Sequence, residues 1–280
     1  MKELYLKGKR KFKNAGFEFP DIEARAILTR TLSIDLSKIH SEPKKNINEF
    51  KCRKFQKSVE RRLNGEPSAY ITGEKEFYSR NFKVNPDVLI PRDETELLVE
   101  ESIKIIKKIN NPRVLDLGTG SGCIAVTINS ETDCKEIFAS DISYMALLTA
   151  RQNSKINSGR NSLYFINGNL FDSFKSSSFD IIISNPPYIS RKDLEIVQKE
   201  IKDHEPLTAL LSADNGFFHI KKIIEGSKRL LKMNGWCILE VGADQSKKVR
   251  KIFKENNFSD IEAVKDLNGI ERIVKAKWKK

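Results

Sequence analysis

Three runs of residues have the types and the spacing to do chemistry. The first is Val114-Leu115-Asp116-Leu117-Gly118-Thr119-Gly120-Ser121-Gly122, an apolar strand pattern that runs into a glycine-rich turn and then a helix pattern. Glycines reach positive φ and let the backbone come close to a ligand. In doubly wound sheets, ligands bind beyond the carboxyl ends of the strands. The spacing is GxGxG, not the GxGxxG of nicotinamide enzymes. With no ligand it would be a tight strand-to-helix turn, a reading that three alternating glycines weigh against. The second feature is Asp141, 23 positions after Gly118 at the end of the next strand. A carboxylate at about that distance accepts both hydrogens of a ribose cis-diol. It would serve equally as the N-cap of the following helix, and the two roles are compatible. The third is Ser184-Asn185-Pro186-Pro187-Tyr188, directly after the apolar Ile181-Ile182-Ile183. Two prolines fix φ and stiffen the loop. As a bare turn it would be merely rigid; with an aromatic behind it, at the end of the fourth strand, it is far more specific.

Alternating elements must hold these runs in place. Strands are expected at Arg113–Leu117, Glu136–Ser140, Leu163–Ile166, Phe179–Ser184 and Trp236–Val241. Helical stretches separate them at Gly122–Ser130, Ser143–Asn157, Asp193–Lys202, Phe217–Leu231 and Asp244–Asn256. Such alternation implies a parallel sheet covered on both faces. Ile261–Val264 and Arg272–Lys277 read as a closing hairpin that adds an antiparallel strand. Asp93 or Thr95 would open a helix carrying Leu97, Leu98, Ile103 and Ile106 at helical spacing.

Upstream the pattern is helical. Leu4 to Ala15 is one helix. A second follows Pro20, capped by Asp21, with Ala24, Ile27, Leu28 and Leu32 on its apolar face. A third runs from an Asn48 cap through Phe55, Val59 and Leu63 to Gly65. Tyr70-Ile71-Thr72-Gly73, Glu76-Phe77-Tyr78 and Phe82-Lys83-Val84 then alternate around turn residues and suggest a short β-hairpin linker. The chain thus divides into a helical domain at 1–67, a hairpin linker at 68–90 and an α/β domain at 91–280.

Composition narrows the classes. Hydrophobic residues are 39% and charged residues 31% of 280, ordinary for a soluble globular protein. Met1 to Phe17 is rich in lysine with no apolar core, so no secretory signal is expected, and no apolar run is long enough to span a bilayer. The four cysteines are scattered without a CxxC pair, and the three histidines (His40, His204, His219) show no metal-ligand spacing. Reduced thiols in a cytoplasmic protein, without a metal site, are the expectation. The net charge of +12 reads two ways. One is attraction to nucleic acid or something bound to it; the other is lysine dispersed over solvated helix faces.

Together the Gly118–Gly122 loop, Asp141 and the Asn-Pro-Pro-Tyr loop resemble class I methyltransferases that act on exocyclic or amide nitrogens. The whole chain resembles the HemK/PrmC family, the glutamine N5-methyltransferases of peptide chain release factors. The likeness includes Gly65-Glu66-Pro67, Tyr70-Ile71-Thr72-Gly73, Leu89-Ile90-Pro91-Arg92-Asp93-Glu94-Thr95-Glu96 and Glu205-Pro206 with Ala209-Leu210. It continues through Leu239-Glu240-Val241-Gly242 to Asp266-Leu267-Asn268-Gly269 with Arg272. Two positions depart from the family pattern. Asp93 stands where proline is usual. Asn169, in Gly168-Asn169-Leu170-Phe171, stands where an acidic residue usually faces the adenine amino group. Its side-chain carbonyl offers an acceptor there too.

The resemblance implies a Rossmann-like class I fold with a mixed seven-stranded sheet, plus a small N-terminal helical domain that recognises the substrate and is joined by a β-hairpin. It implies S-adenosylmethionine as cofactor, held by Gly118, Thr119, Gly120, Ser121, Gly122, Asp141, Leu170 and Asn185. It implies catalysis by Asn185, Pro186, Pro187 and Tyr188. In this scheme the Asn185 side-chain oxygen and the Pro186 carbonyl accept the two hydrogens of a glutamine amide, while Tyr188 packs on its flat face. Glu94, Thr95 and Glu96 would lie over the cofactor, or simply form a helix first turn where acidic residues suit the dipole. The implied partner is a class 1 release factor, met by a monomeric cytoplasmic enzyme with no membrane partner and no direct nucleic-acid substrate. Two rivals remain: an amino-group methyltransferase of adenine or guanine in DNA or rRNA, and a non-catalytic binding protein on a retained fold. The first lacks a second module for base recognition; the intact loop and Asp141 weigh against the second.

Overall fold

The computed structural model describes residues 1–157 and 163–279. They fall into two units, Met1–Glu74 with Gln198–His204, and Lys75–Val197 with Glu205–Lys280.

The first unit holds α1 (Lys2–Asn14), α2 (Pro20–Leu32), α3 (Lys38–Ser41), α4 (Glu49–Leu63) and α5 (Ser68–Thr72). Asn48 caps α4 as expected, its Oδ1 accepting the Lys51 N–H at 2.9 Å. Phe12, Ile27, Leu28, Phe55 and Val59 share one apolar cluster. Gly8 lets α1 and α4 approach closely, since a Cβ there would sit 2.7 Å from the Phe55 ring. Two expectations are corrected. Asp21 does not cap α2, which already begins at Pro20, where the missing N–H costs nothing. Its carboxylate instead takes the Tyr5 hydroxyl, Lys9 and Arg25. Tyr70–Gly73 is not strand but the end of α5, closed by Gly73 at φ +75°. Thr72 Oγ1 donates back to the Ser68 carbonyl at 2.9 Å, and a short apolar run does not by itself separate strand from helix.

In the second unit, β1 (Glu74–Phe77) and β2 (Arg80–Lys83) make a hairpin. Tyr78 and Ser79 turn it with positive φ at both positions, which matches the twist of the strands. Then follow α6 (Thr95–Ile106), β3 (Arg113–Leu117), α7 (Cys123–Glu131), β4 (Glu136–Asp141), α8 (Tyr144–Asn157), β5 (Leu163–Asn167) and β6 (Phe179–Ser184). After α9 (Lys199–His204), which belongs to the first unit, come α10 (Leu207–Leu210), α11 (Phe218–Leu230), β7 (Leu231–Glu240), α12 (Ser246–Glu255), β8 (Phe258–Lys265) and β9 (Glu271–Trp278). The expected helix over Asp193–Lys202 is a 3-10 turn at Asp193–Glu195 and the separate α9. Ser190 and Asp193 cross-bond side chain to side chain and to backbone, which closes the turn locally.

The sheet is mixed and seven-stranded, ordered β5-β4-β3-β6-β7-β9-β8. The first five strands are parallel, and β9 is antiparallel to both β7 and β8. One core face carries Leu98, Val114, Val126, Ile137 and Ile183; the other carries Leu115, Ile182, Ile223, Leu239 and Phe253. Burial on both faces is why the parallel strands read as unbroken apolar runs. The chain winds outward from β3 to β4 and β5, then returns to β6 on the other side of β3. That reversal opens a crevice at the carboxyl ends of β3 and β6. Among the described residues the cysteines Cys52, Cys123, Cys134 and Cys237 are free. No described helix is long and apolar enough to cross a membrane, and no described cluster has the donors to hold a metal ion.

Candidate functional site

The carboxyl end of β3 hands the chain to the glycine loop. Gly118, Gly120 and Gly122 take φ of +72°, +54° and +82°, a region costly for other residues. The Gly118 and Thr119 N–H groups both donate to the Ser140 carbonyl at 2.9 Å, which ties the loop to the end of β4. The three glycines have different jobs. A Cβ on Gly118 or Gly120 would meet nothing within 4 Å, so these two leave an open face. A Cβ on Gly122 would come 2.9 Å from the Ala150 Cβ, so this glycine lets α7 pack against α8. Beneath the loop, Thr119 Oγ1 donates to Asp116 at 2.6 Å. Burial pushes the Asp116 carboxyl up to about 7, with the Thr119 hydroxyl opposing. Ser121 is buried, and its carbonyl accepts from Asn153 at 2.8 Å.

Asp141 ends β4 beside this loop. Its Oδ2 accepts the Gly120 N–H and its Oδ1 the Ser143 N–H, each at 2.9 Å. Burial raises its pKa above the ordinary value, and those backbone donors pull the other way. It therefore braces the glycine loop and the start of α8 at once. Past β5, Gly168 donates to the Asp141 carbonyl at 3.1 Å, and the Asn167 side chain reaches the Asp141 and Ile142 carbonyls at 3.0 Å. Leu170, at φ +46°, turns the chain here and packs on the second core face. Asn169 is exposed, its carbonyl accepting from Asp172 at 3.2 Å.

The loop after β6 joins the same crevice. Ser184 Oγ donates to the Leu117 carbonyl at 2.7 Å, which fixes the residue before Asn185 against the residue before Gly118. Pro186 is buried and Pro187 half-buried. Burial pushes the Tyr188 phenol up, with the nearby Glu240 carboxylate adding to the rise. The Tyr188 carbonyl accepts from Gln245 Nε2 at 3.0 Å. Gly216, at φ +89°, lies so close that a Cβ would be 2.2 Å from that carbonyl oxygen.

Asn185 does not stand alone. Its Nδ2 donates to Thr95 Oγ1 at 3.1 Å, and Thr95 Oγ1 donates to Glu240 Oε2 at 2.7 Å. Thr95 and Glu240 are each 2% exposed. Burial pushes the Glu240 carboxyl up to about 7; the Thr95 hydroxyl holds it down, Glu94 raises it, and Arg272 and the Asn185 amide, which also reaches this carboxylate, lower it. Neither Asp93 nor Thr95 caps α6 by its side chain. Asp93 pairs with Lys75 at 2.8 Å, and the Thr95 hydroxyl is turned to Glu240. Glu94 is exposed and Glu96 accepts the Tyr78 N–H at 2.6 Å. The segment before α6 is held by Glu205, which is 4% exposed and accepts from the Ile90 N–H at 3.1 Å and from Arg92 at 2.5 Å.

Gly118 to Gly122, Asp141 and Leu170 thus gather around β3 and β4, and Asn185 to Tyr188 around β6. Thr95, Glu240 and Gly216 support them, and sequence reasoning gave none of these three its part. Glu240 left one signal: a carboxylate inside the apolar run Cys237-Ile238-Leu239-Glu240-Val241, where glutamate is rarely buried without a partner. Chemically, the arrangement offers an open glycine backbone, a carboxylate, and an amide whose NH2 end is held by Thr95.

Residues 93–207 match the methyltransferase small domain family, and residues 3–73 the PrmC N-terminal domain family. The chain is 39% identical over 260 residues to the release factor glutamine methyltransferase of Thermodesulfovibrio yellowstonii, covering 92% of each. It is 40% identical over 265 residues to that of Neisseria gonorrhoeae, covering 94% of this chain and 95% of that one. The bifunctional methyltransferase of Rickettsia typhi is 33% identical over 98% of this chain, which spans 56% of that protein. Among solved structures, a methyltransferase from Pyrococcus furiosus overlays with a TM-score of 0.53 at 15% identity, covering 72% of this chain and 91% of that one. At that identity the overlay speaks for the fold alone.

Proposed function

The chain belongs to the family of release factor glutamine methyltransferases, and from that premise we propose that it methylates the side-chain amide nitrogen of the glutamine in a release factor's Gly-Gly-Gln motif, with S-adenosylmethionine as donor. The observation that carries the reading is the Asn185 amide. Its NH2 is engaged by Thr95, which leaves Oδ1 free to accept; in this reading the Pro186 carbonyl is the second acceptor. Two acceptors suit the two hydrogens of a primary amide.

S-adenosylmethionine supplies a methyl group on a positively charged sulfur. The residues fit such a ligand. Gly118 and Gly120 leave open space that any side chain would fill, and Asp141 offers a carboxylate for a ribose diol. Leu170 gives an apolar surface at the crevice rim.

The rest is the work of the chain. An amide nitrogen is a poor nucleophile because its lone pair is delocalised, so the site must hold it in line with the methyl group. Such positioning is worth on the order of 7–11 kcal/mol. Asn185 Oδ1 and the Pro186 carbonyl orient the nitrogen and stabilise the positive charge that develops on it. Tyr188 packs on the flat amide and excludes water. The methylated nitrogen is acidic enough to lose its proton afterwards, so no strong base is needed. In this reading the helical unit grips the factor, and the reaction takes place in the cytoplasm, where translation does.

The test is mass spectrometry of a release factor's Gly-Gly-Gln tryptic peptide after incubation with the protein and cofactor. The expected product carries one added methyl on glutamine. Transfer to DNA or rRNA, with none to the factor, would overturn the assignment. Asp141→Ala is expected to weaken cofactor binding by about 10–100-fold, the worth of one or two hydrogen bonds to a charged group. Calorimetry showing unchanged affinity would remove Asp141 from the site.

A further inference from the structure

We propose that Glu240 is a positioning residue: together with the Thr95 hydroxyl that it holds, its carboxylate decides which way round the Asn185 amide stands, so that Asn185 presents its oxygen rather than its NH2 to the substrate. The inference rests on the methyl-transfer reading above and deepens it.

A threonine hydroxyl has a single hydrogen. Thr95 Oγ1 lies 2.7 Å from Glu240 Oε2 and 3.1 Å from Asn185 Nδ2. An ionised carboxylate only accepts, so the Thr95 hydrogen is committed to Glu240. What remains on Thr95 is lone pairs, and only the NH2 end of Asn185 can meet them. The flipped amide would set two acceptors face to face with no hydrogen between them. Leaving a buried acceptor unmatched in this way biases the two orientations by about 10–100-fold. Asn185 Oδ1 therefore stays in the acceptor position that an amide substrate requires.

Protonating Glu240 reverses the chain. The carboxylic acid donates to Thr95, the Thr95 hydrogen becomes free for Asn185 Oδ1, and the Asn185 NH2 turns outward. There it would confront the substrate's own N–H groups, donor against donor. The groups that face Glu240 are Thr95 and Glu94 at the start of α6, Asn185 and Tyr188 after β6, the Cys123 thiol of α7 and Arg272 of β9. Arg272 is itself held by Asp266 at 3.3 Å. With its carboxyl pushed up to about 7, Glu240 titrates inside the range where an enzyme is assayed. The acceptor form exists above that value and is lost as pH falls through it.

The experiment is steady-state kinetics of the full chain against pH, with a release factor and S-adenosylmethionine, on wild type, Thr95→Val, Thr95→Ser and Glu240→Gln. Wild-type kcat is expected to fall on an acid limb around neutrality. Thr95→Val keeps the shape and removes the relay. It is expected to lower kcat by about 10–100-fold, to change cofactor affinity less than threefold (on the order of 0.6 kcal/mol) and to flatten the acid limb. Thr95→Ser restores the hydroxyl and should restore both kcat and the limb. Glu240→Gln no longer titrates at this position and should give a lowered kcat with a shallower acid limb, since the Asp116 carboxyl, also pushed up to about 7, still titrates. A Thr95→Val protein with wild-type kcat overturns the proposal, and so does an acid limb in Glu240→Gln as deep as that of the wild type. Side-chain 15N spectra of the wild-type protein give a readout that needs no variant. The Asn185 NH2 pair is expected to move with pH around neutrality, and a static pair is evidence against the relay. If the wild-type protein methylates no release factor, the functional reading fails, while the same spectra still decide whether Glu240 governs Asn185.

Discussion

Asn185→Ala should lower kcat by about 10²–10³, the usual cost of losing one preorganised polar partner of a transition state. Cofactor affinity, measured by calorimetry on the same protein, should change far less. Asn185→Asp is the sharper variant. A carboxylate at 185 would keep two acceptors but would lie against Thr95 Oγ1, whose single hydrogen already goes to Glu240. Two carboxylates would then compete for one hydroxyl in a buried site. The aspartate variant is expected to be as poor as alanine at neutral pH, although it carries more acceptor capacity than asparagine. An Asn185→Asp enzyme with near wild-type kcat would show that the NH2 side of Asn185 has no part in the reaction. Wild-type kcat in Asn185→Ala would end the mechanism altogether.

Gly216→Ala should damage both stability and chemistry. The position has φ +89°, and the added Cβ would lie 2.2 Å from the Tyr188 carbonyl oxygen and 2.7 Å from Gln245 Nε2. Those two atoms are bonded to each other at 3.0 Å, so the methyl would wedge into the bond that anchors the Asn-Pro-Pro-Tyr loop. Backbone strain alone costs about 1–3 kcal/mol. The overlap is relieved only by moving the loop, and a shift of about 1 Å at a reacting group costs on the order of 10²-fold in rate. A thermal melt should show the lost stability and single-turnover kinetics the lost chemistry. Gly269→Ala is the control. Its φ is +79° but nothing lies within 4 Å of the added carbon, so it should lose stability and keep kcat. Equal kcat losses in the two variants would mean that strain, not the Tyr188 contact, is responsible.

The parts of this molecule that were legible in sequence are those whose cause is local. Strands buried on both faces read as apolar runs, so Arg113–Leu117 and Phe179–Ser184 were found to the residue. The glycine loop and the double proline carry their backbone demands in their own composition, and Asn48 caps α4 three residues from its partner. Where the partner is distant, the same local rules misled. Thr95 had the type and place of an N-cap, yet its hydroxyl serves Glu240, 145 positions away. Asp21 looked like a cap and instead gathers Tyr5 and Lys9 from α1. Gly216 follows Asp214 and Asn215, and only the fold places Tyr188 over it. Gln198–His204 lies among strands of the second unit in sequence and belongs to the first in space. There Glu200 meets Arg62 at 2.9 Å.

A ribosome delivers β8 before β9, yet among the described residues β8 has no neighbour in the sheet except β9. Until Glu271–Trp278 has emerged, both Phe258–Lys265 and the outer edge of β7 expose unpaired backbone. Unpaired edges are templates for wrong partners, and domains fold in large part as they are synthesised. Glu240, which sits on β7 and pairs with Ile273 of β9, thus gains its final surroundings from a strand made after it. A nascent chain stalled inside the Asp266–Ile270 turn would hold the glycine loop, Asp141 and Asn185 in sequence while lacking the strand that walls Glu240 from water.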